Sequence, residues 1–336
     1  MIVIEDLLAE TWKLPACIAG IGSFDGVHLA HQQLIEAVVA RARELALPSA
    51  ILLFDPLPKA ILRPGFTGTL TSLERKLGLI AELGPDHACV IRFSLEFAHM
   101  GPRSFVENVL RGRMGAREVF VGFNFSFGEG ARGTPGMLER LGYDAGFRTH
   151  VLPPVKQGDR LISSSSIRDM LKEGDVEGAA RMLGRSYRLD GAVVPGDGRA
   201  RGLGFPTANL QAEPTSAMVP ANGVYCGTAQ TGTLERPCVV YIGTSPTFGG
   251  LVRKVEVHLL DWSGDLQGRV LSVHFARRIR AERRFESTEE LIEQLGRDIA
   301  ESRVPTARPQ ATVPFWRVED PARDSKGRLP AREGPP

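Results

Sequence analysis

The chain has 336 residues, of which 43% are hydrophobic and 24% are charged, and its formal net charge at pH 7 is +2. This length exceeds one ordinary core and suits two globular domains. The nearly balanced charge gives no indication of binding to duplex nucleic acid or to a membrane surface.

The four cysteines are far apart in sequence, which excludes paired zinc-ligand spacing and a disulfide framework and indicates reduced, mostly buried thiols. The N-terminus carries acidic residues where a secretory signal needs positive charge, and no apolar run approaches the length of a membrane span. We therefore expect a soluble, cytoplasmic protein. The sequence predicts no particular oligomeric state.

Between Pro15 and about Pro154, short apolar runs alternate with helical stretches. The runs are ACIAGIGSF, SAILLF, ACVIRF and EVFVGF, and the helical stretches cover residues 31–45, 72–83 and 103–113. This alternation predicts a parallel β-sheet with helices on both faces, an α/β fold. Ligands of such sheets bind at the carboxyl ends of the strands, where the polar motifs of this half fall.

The stretch SSSSIRDMLKEGDVEGAARMLGRSY predicts a Ser-capped helix that ends at Gly174, followed by a second helix over residues 175–183. These helices close a first domain, placed at residues 1–186. From Tyr187, Val-rich runs separated by Gly and Pro turns predict a small antiparallel β-barrel of five or six strands. The second domain is placed at residues 187–303.

A last helix is expected from Ser287 to about Ser302, with Ser287 as its N-cap and Glu290 three positions on. One apolar face should pack against the barrel and consists of Leu291, Ile292, Leu295 and Ile299. Residues 304–336 are rich in Pro and Arg with few large apolar side chains, which predicts a mostly disordered tail.

The motif GSFDGVHLAH, from Gly22 to His31, lies between an apolar strand and an amphipathic helix. Such a loop presents backbone N–H groups and the positive end of a helix to an anion. His28 and His31 can donate to phosphate oxygens and offset the charge that develops when an α-phosphate is attacked. An ordinary glycine-containing loop with surface histidines remains the alternative from the residues alone.

The motif ISSSSIR, from Ile162 to Arg168, places adjacent hydroxyls and an arginine at a helix N-terminus. This cluster of donors suits phosphate. A serine-rich N-cap followed by an exposed arginine is the alternative.

The motif GDGRARGLGFPTANL, from Gly196 to Leu210, has four glycines, two arginines and a proline between two predicted strands. Its backbone can fold over phosphates, while Thr207 and Asn209 offer oxygen ligands to Mg²⁺. The spacing is not that of a Walker loop. A glycine-rich hairpin with a structural proline is the alternative.

Together these motifs resemble the bacterial bifunctional riboflavin kinase/FAD synthetase family over about Pro15 to Ser302. GSFDGVHLAH is similar to the GxFDGxHxGH signature of the HxGH nucleotidyltransferase superfamily, FDPLP to FDPHP, and ISSSSIR to ISSTxIR. VGFNFSFGEGARGT is similar to the segment that holds the flavin and the nucleotide base. GDGRARGLGFPTANL closely resembles the flavokinase signature GxGRGxxLGFPTANL.

For the first domain, the resemblance implies an FMN adenylyltransferase with a Rossmann-like nucleotidyltransferase fold. It implies catalytic roles for His28 and His31 and contact of Asn124 with the flavin or the nucleotide. The residues implied to bind the ATP phosphates are Gly22, Phe24, Asp25, His28, His31, Ser164, Ser165 and Arg168.

For the second domain, the resemblance implies a riboflavin kinase with Glu256 as the catalytic general base for the ribityl 5′-hydroxyl. Without the resemblance, Glu256 would be an outward-facing strand residue beside Lys254. Thr207 and Asn209 are implied to hold the metal. The ATP site is implied to comprise Gly196, Gly198, Arg199, Gly204, Pro206, Thr207 and Asn209.

The implied ligands are riboflavin, FMN and ATP, with Mg²⁺ as cofactor, and we expect no nucleic-acid or membrane partner. Ala30, Leu57 and Ser126 depart from the family pattern. One alternative is therefore a working kinase with a weakened or re-purposed transferase. A more distant alternative is a non-catalytic flavin-binding regulatory protein, which the retained Glu256 and PTAN residues disfavour.

Overall fold

The computed structural model describes residues 1–8, 13–66, 68–196, 202–212, 217–247 and 250–303, apart from the side chains of residues 212, 245–247 and 250–252. Gly198, Arg199 and the tail over 304–336 lie outside the described residues. The predictions made for them stay predictions.

The N-terminal half forms the predicted parallel sheet, with six strands in the order β1-β4-β3-β2-β5-β6. The strands are β1 (Ile2–Ile4), β2 (Cys17–Ile21), β3 (Ser49–Asp55), β4 (His87–Arg92), β5 (Ala116–Gly122) and β6 (Arg148–Leu152). The four apolar runs in the sequence are the four central strands, which are buried on both faces. The edge strands β1 and β6 were not predicted.

Helices cover both faces of this sheet, as predicted. Leu34 and Leu79 belong to the core on one face, and Val109 and Leu138 belong to the core on the other. The helical segments are α1 (Leu29–Glu44), α2 (Pro58–Leu62), α3 (Leu73–Glu82), α4 (Leu95–Ala98), α5 (Pro102–Ser104), a π-helix (Phe105–Arg113), a 3₁₀ turn (Glu129–Ala131) and α6 (Pro135–Ala145).

Two short helices, α7 (Ser164–Glu173) and α8 (Val176–Leu183), follow a small hairpin of β7 (Lys156–Gln157) and β8 (Arg160–Leu161). The predicted stop at Gly174 is confirmed, because Gly174 is the left-handed C-cap of α7. Both helices share one hydrophobic core with the barrel, in which Leu171 and Leu183 cluster with Phe275. The boundary placed at residue 186 therefore crosses a continuous core.

The C-terminal half is the predicted antiparallel barrel, closed in the order β10-β13-β12-β11-β14-β9. Its strands are β9 (Tyr187–Val194), β10 (Ala208–Ala212), β11 (Gly223–Thr231), β12 (Leu234–Thr247), β13 (Gly250–Leu259) and β14 (Val270–Arg280). Burial alternates along β9, because successive side chains of a strand point to opposite faces of the sheet.

Helix α9 (Thr288–Ser302) packs on the barrel, and Ser287 caps it by accepting from the Glu290 N–H at 3.1 Å. The predicted apolar face is partly wrong, since Ile292 is 40% exposed. Asp298 is buried instead and forms an ion pair with Arg280. The contact between this helix and the barrel therefore includes the Asp298–Arg280 ion pair as well as apolar side chains.

All four cysteines are free and buried, as predicted. Across the described residues, no helix has the length and apolar character needed to cross a membrane.

Candidate active sites

The first candidate site is the loop between β2 and α1, at the carboxyl end of a central strand. The loop turns through left-handed backbone at Phe24 (φ 48°), Gly26 (φ 81°) and Val27 (φ 39°). His28 then serves as the N-cap of α1. This geometry brings backbone N–H groups and the positive end of a 16-residue helix to one place.

Asp25 anchors this loop to two distant segments. Its carboxylate accepts from the Leu70 N–H at 2.9 Å and forms a buried ion pair with Arg168. Its backbone carbonyl accepts from Ser164 Oγ at 2.9 Å. Burial raises the pKa of Asp25, whereas the charges of Arg168 and Lys76 oppose that rise.

The Arg168 side chain is buried, and its guanidinium is bonded to other groups of the protein. Its Nε donates to the Gly68 carbonyl at 3.0 Å, and its guanidinium lies 4.9 Å from the centre of the Phe66 ring. Of the two predicted serines of α7, Ser164 bonds to the loop while Ser165 is exposed on the first turn. Arg168 therefore supports the loop.

The two histidines of the motif stack on each other, with ring centroids 3.6 Å apart and an angle of 14° between the planes. His28 Nδ1 accepts from the His31 backbone N–H at 3.4 Å, which leaves the proton of a neutral His28 on Nε2. His31 Nδ1 is buried and has no hydrogen-bond partner among the described residues. One ring nitrogen of the pair is thus left without a partner in the part of the chain that the structure describes.

Burial keeps both imidazoles neutral. It lowers the pKa of His28 to about 3, and it lowers the pKa of His31 well below 6.5, with the charge of His28 as a further cause. Two stacked imidazolium cations would repel each other. Each ring therefore offers one N–H donor, and bound phosphates would favour additional protonation.

The three departures from the family pattern lie in different surroundings. Ala30 is the second residue of α1 and packs against the core shared with the barrel. Leu57 is buried before α2, where the family has a polar histidine. Ser126 and the predicted ligand Asn124 are exposed in the segment after β5.

Lys76 is a charged residue of this region that sequence reasoning missed. It lies on α3, is 1% exposed, and interacts electrostatically with Asp25 and Asp55. Burial lowers the pKa of Lys76, and the two carboxylates oppose this effect. A lysine on an amphipathic helix looks like a surface residue in sequence, so no local pattern could have identified it.

The second candidate site lies on the outer face of the barrel. Pairing of β10 with β13 places Asn209 opposite Glu256, and pairing of β13 with β12 places Tyr241 on the other side of Glu256. Thr207 Oγ1 donates to Glu256 Oε2 at 3.4 Å. Glu256 does face outward, but it lies beside both predicted metal ligands.

The described parts of the segment that leads into β10 make close contacts at a glycine and at a proline. A Cβ on Gly196 would lie 1.8 Å from Asn209 Nδ2, so any larger residue there would have to displace the Asn209 amide. His258 Nδ1 lies 2.8 Å from the Pro206 carbonyl oxygen, which ties the loop to β13. Gly204 has left-handed backbone at φ 90°, and a side chain there would be strained.

The donor set of the second site fits Mg²⁺. Thr207 and Asn209 contribute neutral oxygens beside the Glu256 carboxylate, which is the hard-oxygen chemistry that Mg²⁺ prefers. No group of three or more His, Cys, Asp or Glu side chains with metal-binding geometry occurs among the described residues. A metal here would take its other ligands from phosphates and water.

Comparison with known proteins assigns each half of the chain to a family. Residues 10–166 match the FAD synthetase family, and residues 183–305 match the riboflavin kinase family. The chain is 35% identical over 285 residues to the bifunctional riboflavin kinase/FMN adenylyltransferase of Escherichia coli strain K12, covering 84% of this chain and 90% of that protein. It is 34% identical over 291 residues to the protein of the same name from Bacillus subtilis strain 168, covering 85% and 91%.

A crystal structure from Streptococcus pneumoniae, described as a macrolide-efflux protein, has a TM-score of 0.81 and 28% identity to this chain. The match covers 91% of this chain and 99% of that one. The two proteins therefore share the arrangement of sheet, barrel and helices along nearly their whole length.

The buried histidines predict a loss of stability in mild acid. Above pH 6.5 both are neutral in the folded and unfolded states; below it the unfolded chain binds protons that the folded site resists. The free energy of unfolding should fall by up to about 1.4 kcal/mol per pH unit for each histidine. Urea unfolding between about pH 7 and pH 5 measures this slope, and His31→Gln should reduce it. An equal slope in wild type and His31→Gln would contradict the assignment.

The contact between Gly196 and Asn209 predicts that Gly196→Ala damages the second site. The added methyl must displace the Asn209 amide, so riboflavin phosphorylation should fall roughly tenfold or more. Steady-state assay of FMN formation measures the effect. Gly296→Ala is the matched control, because a Cβ there meets nothing within 4 Å. Wild-type kinase activity in Gly196→Ala would show that the position of Asn209 is unimportant.

Proposed function

The chain belongs to the family of bifunctional riboflavin kinases/FMN adenylyltransferases, and we propose that its two reactions take place in the two sites described above. It phosphorylates riboflavin to FMN with ATP, and it adenylylates FMN to FAD with release of pyrophosphate. The observation that carries the proposal is that each matched segment contains one polar cluster of the required chemistry. The histidine loop lies in the FAD synthetase segment, and Glu256 with Thr207 and Asn209 lies in the riboflavin kinase segment.

In the second site, Glu256 accepts the proton of the ribityl 5′-hydroxyl as that oxygen attacks the γ-phosphorus of ATP. Its hydrogen bond with Thr207 supports this role, because it keeps the carboxylate beside the phosphate-binding loop. Thr207 and Asn209 would hold Mg²⁺. Bound Mg²⁺ neutralises charge on the β- and γ-phosphates.

In the first site, a phosphate oxygen of FMN attacks the α-phosphorus of a second ATP, and pyrophosphate leaves. The nucleophile is already an anion, so this step needs charge stabilisation more than a general base. His28 and His31 donate N–H bonds to the phosphate oxygens, and the N-terminus of α1 adds backbone donors. The unpartnered Nδ1 of His31 supports this role. Ser164 and Arg168 hold the loop through Asp25. Ser164 donates to the Asp25 backbone carbonyl, and Arg168 forms an ion pair with the Asp25 carboxylate.

We further propose that the first reaction domain is residues 1–186 and the second is residues 187–303. The partners are riboflavin, FMN and ATP. Because both reactions consume ATP, we place the protein in the cytoplasm.

Glu256→Gln should reduce FMN formation by about 100-fold or more, because the amide cannot accept the hydroxyl proton. FAD formation from supplied FMN should continue at the wild-type rate. Chromatographic separation of flavins after incubation with ATP and Mg²⁺ measures both rates. Glu235→Gln, on an exposed position of β12, is the matched control. Equal loss of both activities in Glu256→Gln would exclude separate sites.

His31→Ala should have the opposite effect. FAD formation from FMN should fall by about 100-fold, the cost of removing one donor to a developing charge, while riboflavin phosphorylation continues. Pyrophosphate release with FMN and ATP as substrates measures the loss. His99→Ala, at an exposed position of the same domain, should leave both rates unchanged. Normal FAD synthesis by His31→Ala would remove this residue from the site.

A further inference from the structure

The turn before His28 has a backbone that needs external support. Phe24, Gly26 and Val27 all have positive φ, and this region is costly for a β-branched residue such as Val27. Such a conformation persists only where the surrounding structure determines it. Because His28 follows directly, whatever holds this turn also sets the direction of the histidine pair.

A guanidinium from the opposite end of the domain holds the turn. Arg185 is 158 residues beyond Val27, and its Nη1 donates to the Val27 carbonyl at 3.1 Å. Its Nη2 donates to the Gly26 carbonyl. The same Nη1 donates to the carbonyl of Leu183, the last residue of α8, at 3.1 Å. One side chain thus joins the turn to the end of α8.

Gln32 reaches two of the same carbonyls from α1. Its Nε2 donates to Val27 O and to Leu183 O, both at 2.9 Å. Gln32 is adjacent to His31 in the sequence, on the first turn of α1. Val27 O and Leu183 O therefore each accept from two side chains, and both flanks of the histidine pair are joined to α8.

The charge of Arg185 is satisfied by carbonyl groups. Among the described residues, no carboxylate forms an ion pair with it. Burial, followed by the charge of Arg75, lowers its pKa to about 10, so the guanidinium stays charged at neutral pH. Hydrogen bonds from a cation are stronger than neutral ones, which suits a group that must hold a strained turn.

The backbone of Arg185 is itself fixed on both sides. Gly184 is the left-handed C-cap of α8, at φ 74°. Tyr187, two residues after Arg185, begins β9 and donates from its buried hydroxyl to the Met218 carbonyl at 2.6 Å. Arg185 therefore lies on the connection between α8 and the barrel, and its position depends on both.

We propose that Arg185 is a positioning residue for adenylyl transfer, which fixes the turn that aims His28 and His31 and couples it to the docked kinase barrel. The inference rests on the proposed function of the histidine loop. Arg185 acts through backbone carbonyls and does not touch the nucleotide. Its loss should therefore change the rate of the transfer step more than the binding of ATP.

The test compares Arg185→Gln and Arg185→Lys in the full-length protein. For FAD synthesis from FMN, kcat should fall about 100-fold in Arg185→Gln, as expected for a small misplacement of catalytic groups, while the KM for ATP changes much less. Arg185→Lys should recover part of the rate, because an ammonium keeps the charge but lacks the planar fork that reaches three carbonyls. Riboflavin phosphorylation should stay at the wild-type rate in both.

Arg188→Gln is the matched control, because Arg188 is on β9 near the same junction but pairs with Asp190. It should leave both activities unchanged. A rise in the KM for ATP without loss of kcat in Arg185→Lys would mean direct nucleotide binding and would overturn the positioning role. Equal loss of both activities in Arg185→Lys would mean that Arg185 contributes only to folding. That result would also overturn the positioning role.

Two further measurements complete the test. If His31→Ala loses FAD synthesis and Arg185→Gln keeps it, this inference fails and the proposed function stands. If both variants keep FAD synthesis, the proposed site itself fails. Gln32→Met combined with Arg185→Gln should cost more than the product of the two separate fold losses, since each residue still holds the Val27 and Leu183 carbonyls when the other is lost. Simple multiplication of the losses would contradict a shared support.

Discussion

The buried ion pair between Asp25 and Arg168 is the contact on which the first site depends. It joins residues 143 positions apart, because Asp25 lies in the histidine loop and Arg168 lies on α7. Removing one partner of such a pair leaves an unpaired buried charge, at a cost of about 3–5 kcal/mol. Since α7 shares a core with the barrel, the loop is held by an element that belongs structurally to both halves of the chain. The sheet half and the barrel half thus share the core that α7 and α8 form.

The two proposed sites present different parts of the polypeptide to the same class of ligand. In the first, a strained turn, a helix N-terminus and two neutral imidazoles lie together, so the backbone has the leading role in the proposed binding of phosphate. In the second, neighbouring strands place Asn209, Glu256 and Tyr241 side by side, so the register of the barrel sets the geometry. The backbone of a loop therefore positions the groups of the first proposed site, and strand pairing positions those of the second.

Local patterns in the sequence predicted the central strands and the caps of α7 and α9, since each depends on residues within a few positions. The regular spacing of short apolar runs predicted an antiparallel barrel, but its strand order joins segments far apart in the chain. The edge strands were missed because their side chains are only partly buried. The roles of Lys76, Gln32 and Arg185 depend on partners that are distant in sequence or are backbone carbonyls, and neither leaves a local pattern. Arg168 shows the same limit. Its motif predicted a phosphate ligand, which stays a prediction, and the ion pair with Asp25 that the fold adds could not be read from the motif.

The most direct test of the account follows phosphorus atoms from ATP into the flavins made from riboflavin by the intact protein. With ATP labelled at the γ-phosphorus, the label should enter both FMN and FAD. With ATP labelled at the α-phosphorus, the label should enter FAD alone, because the proposed function assigns attack at that position to the histidine loop only. Absence of α-label from FAD, or its presence in FMN, would contradict two sites that attack different phosphorus atoms of the same nucleotide.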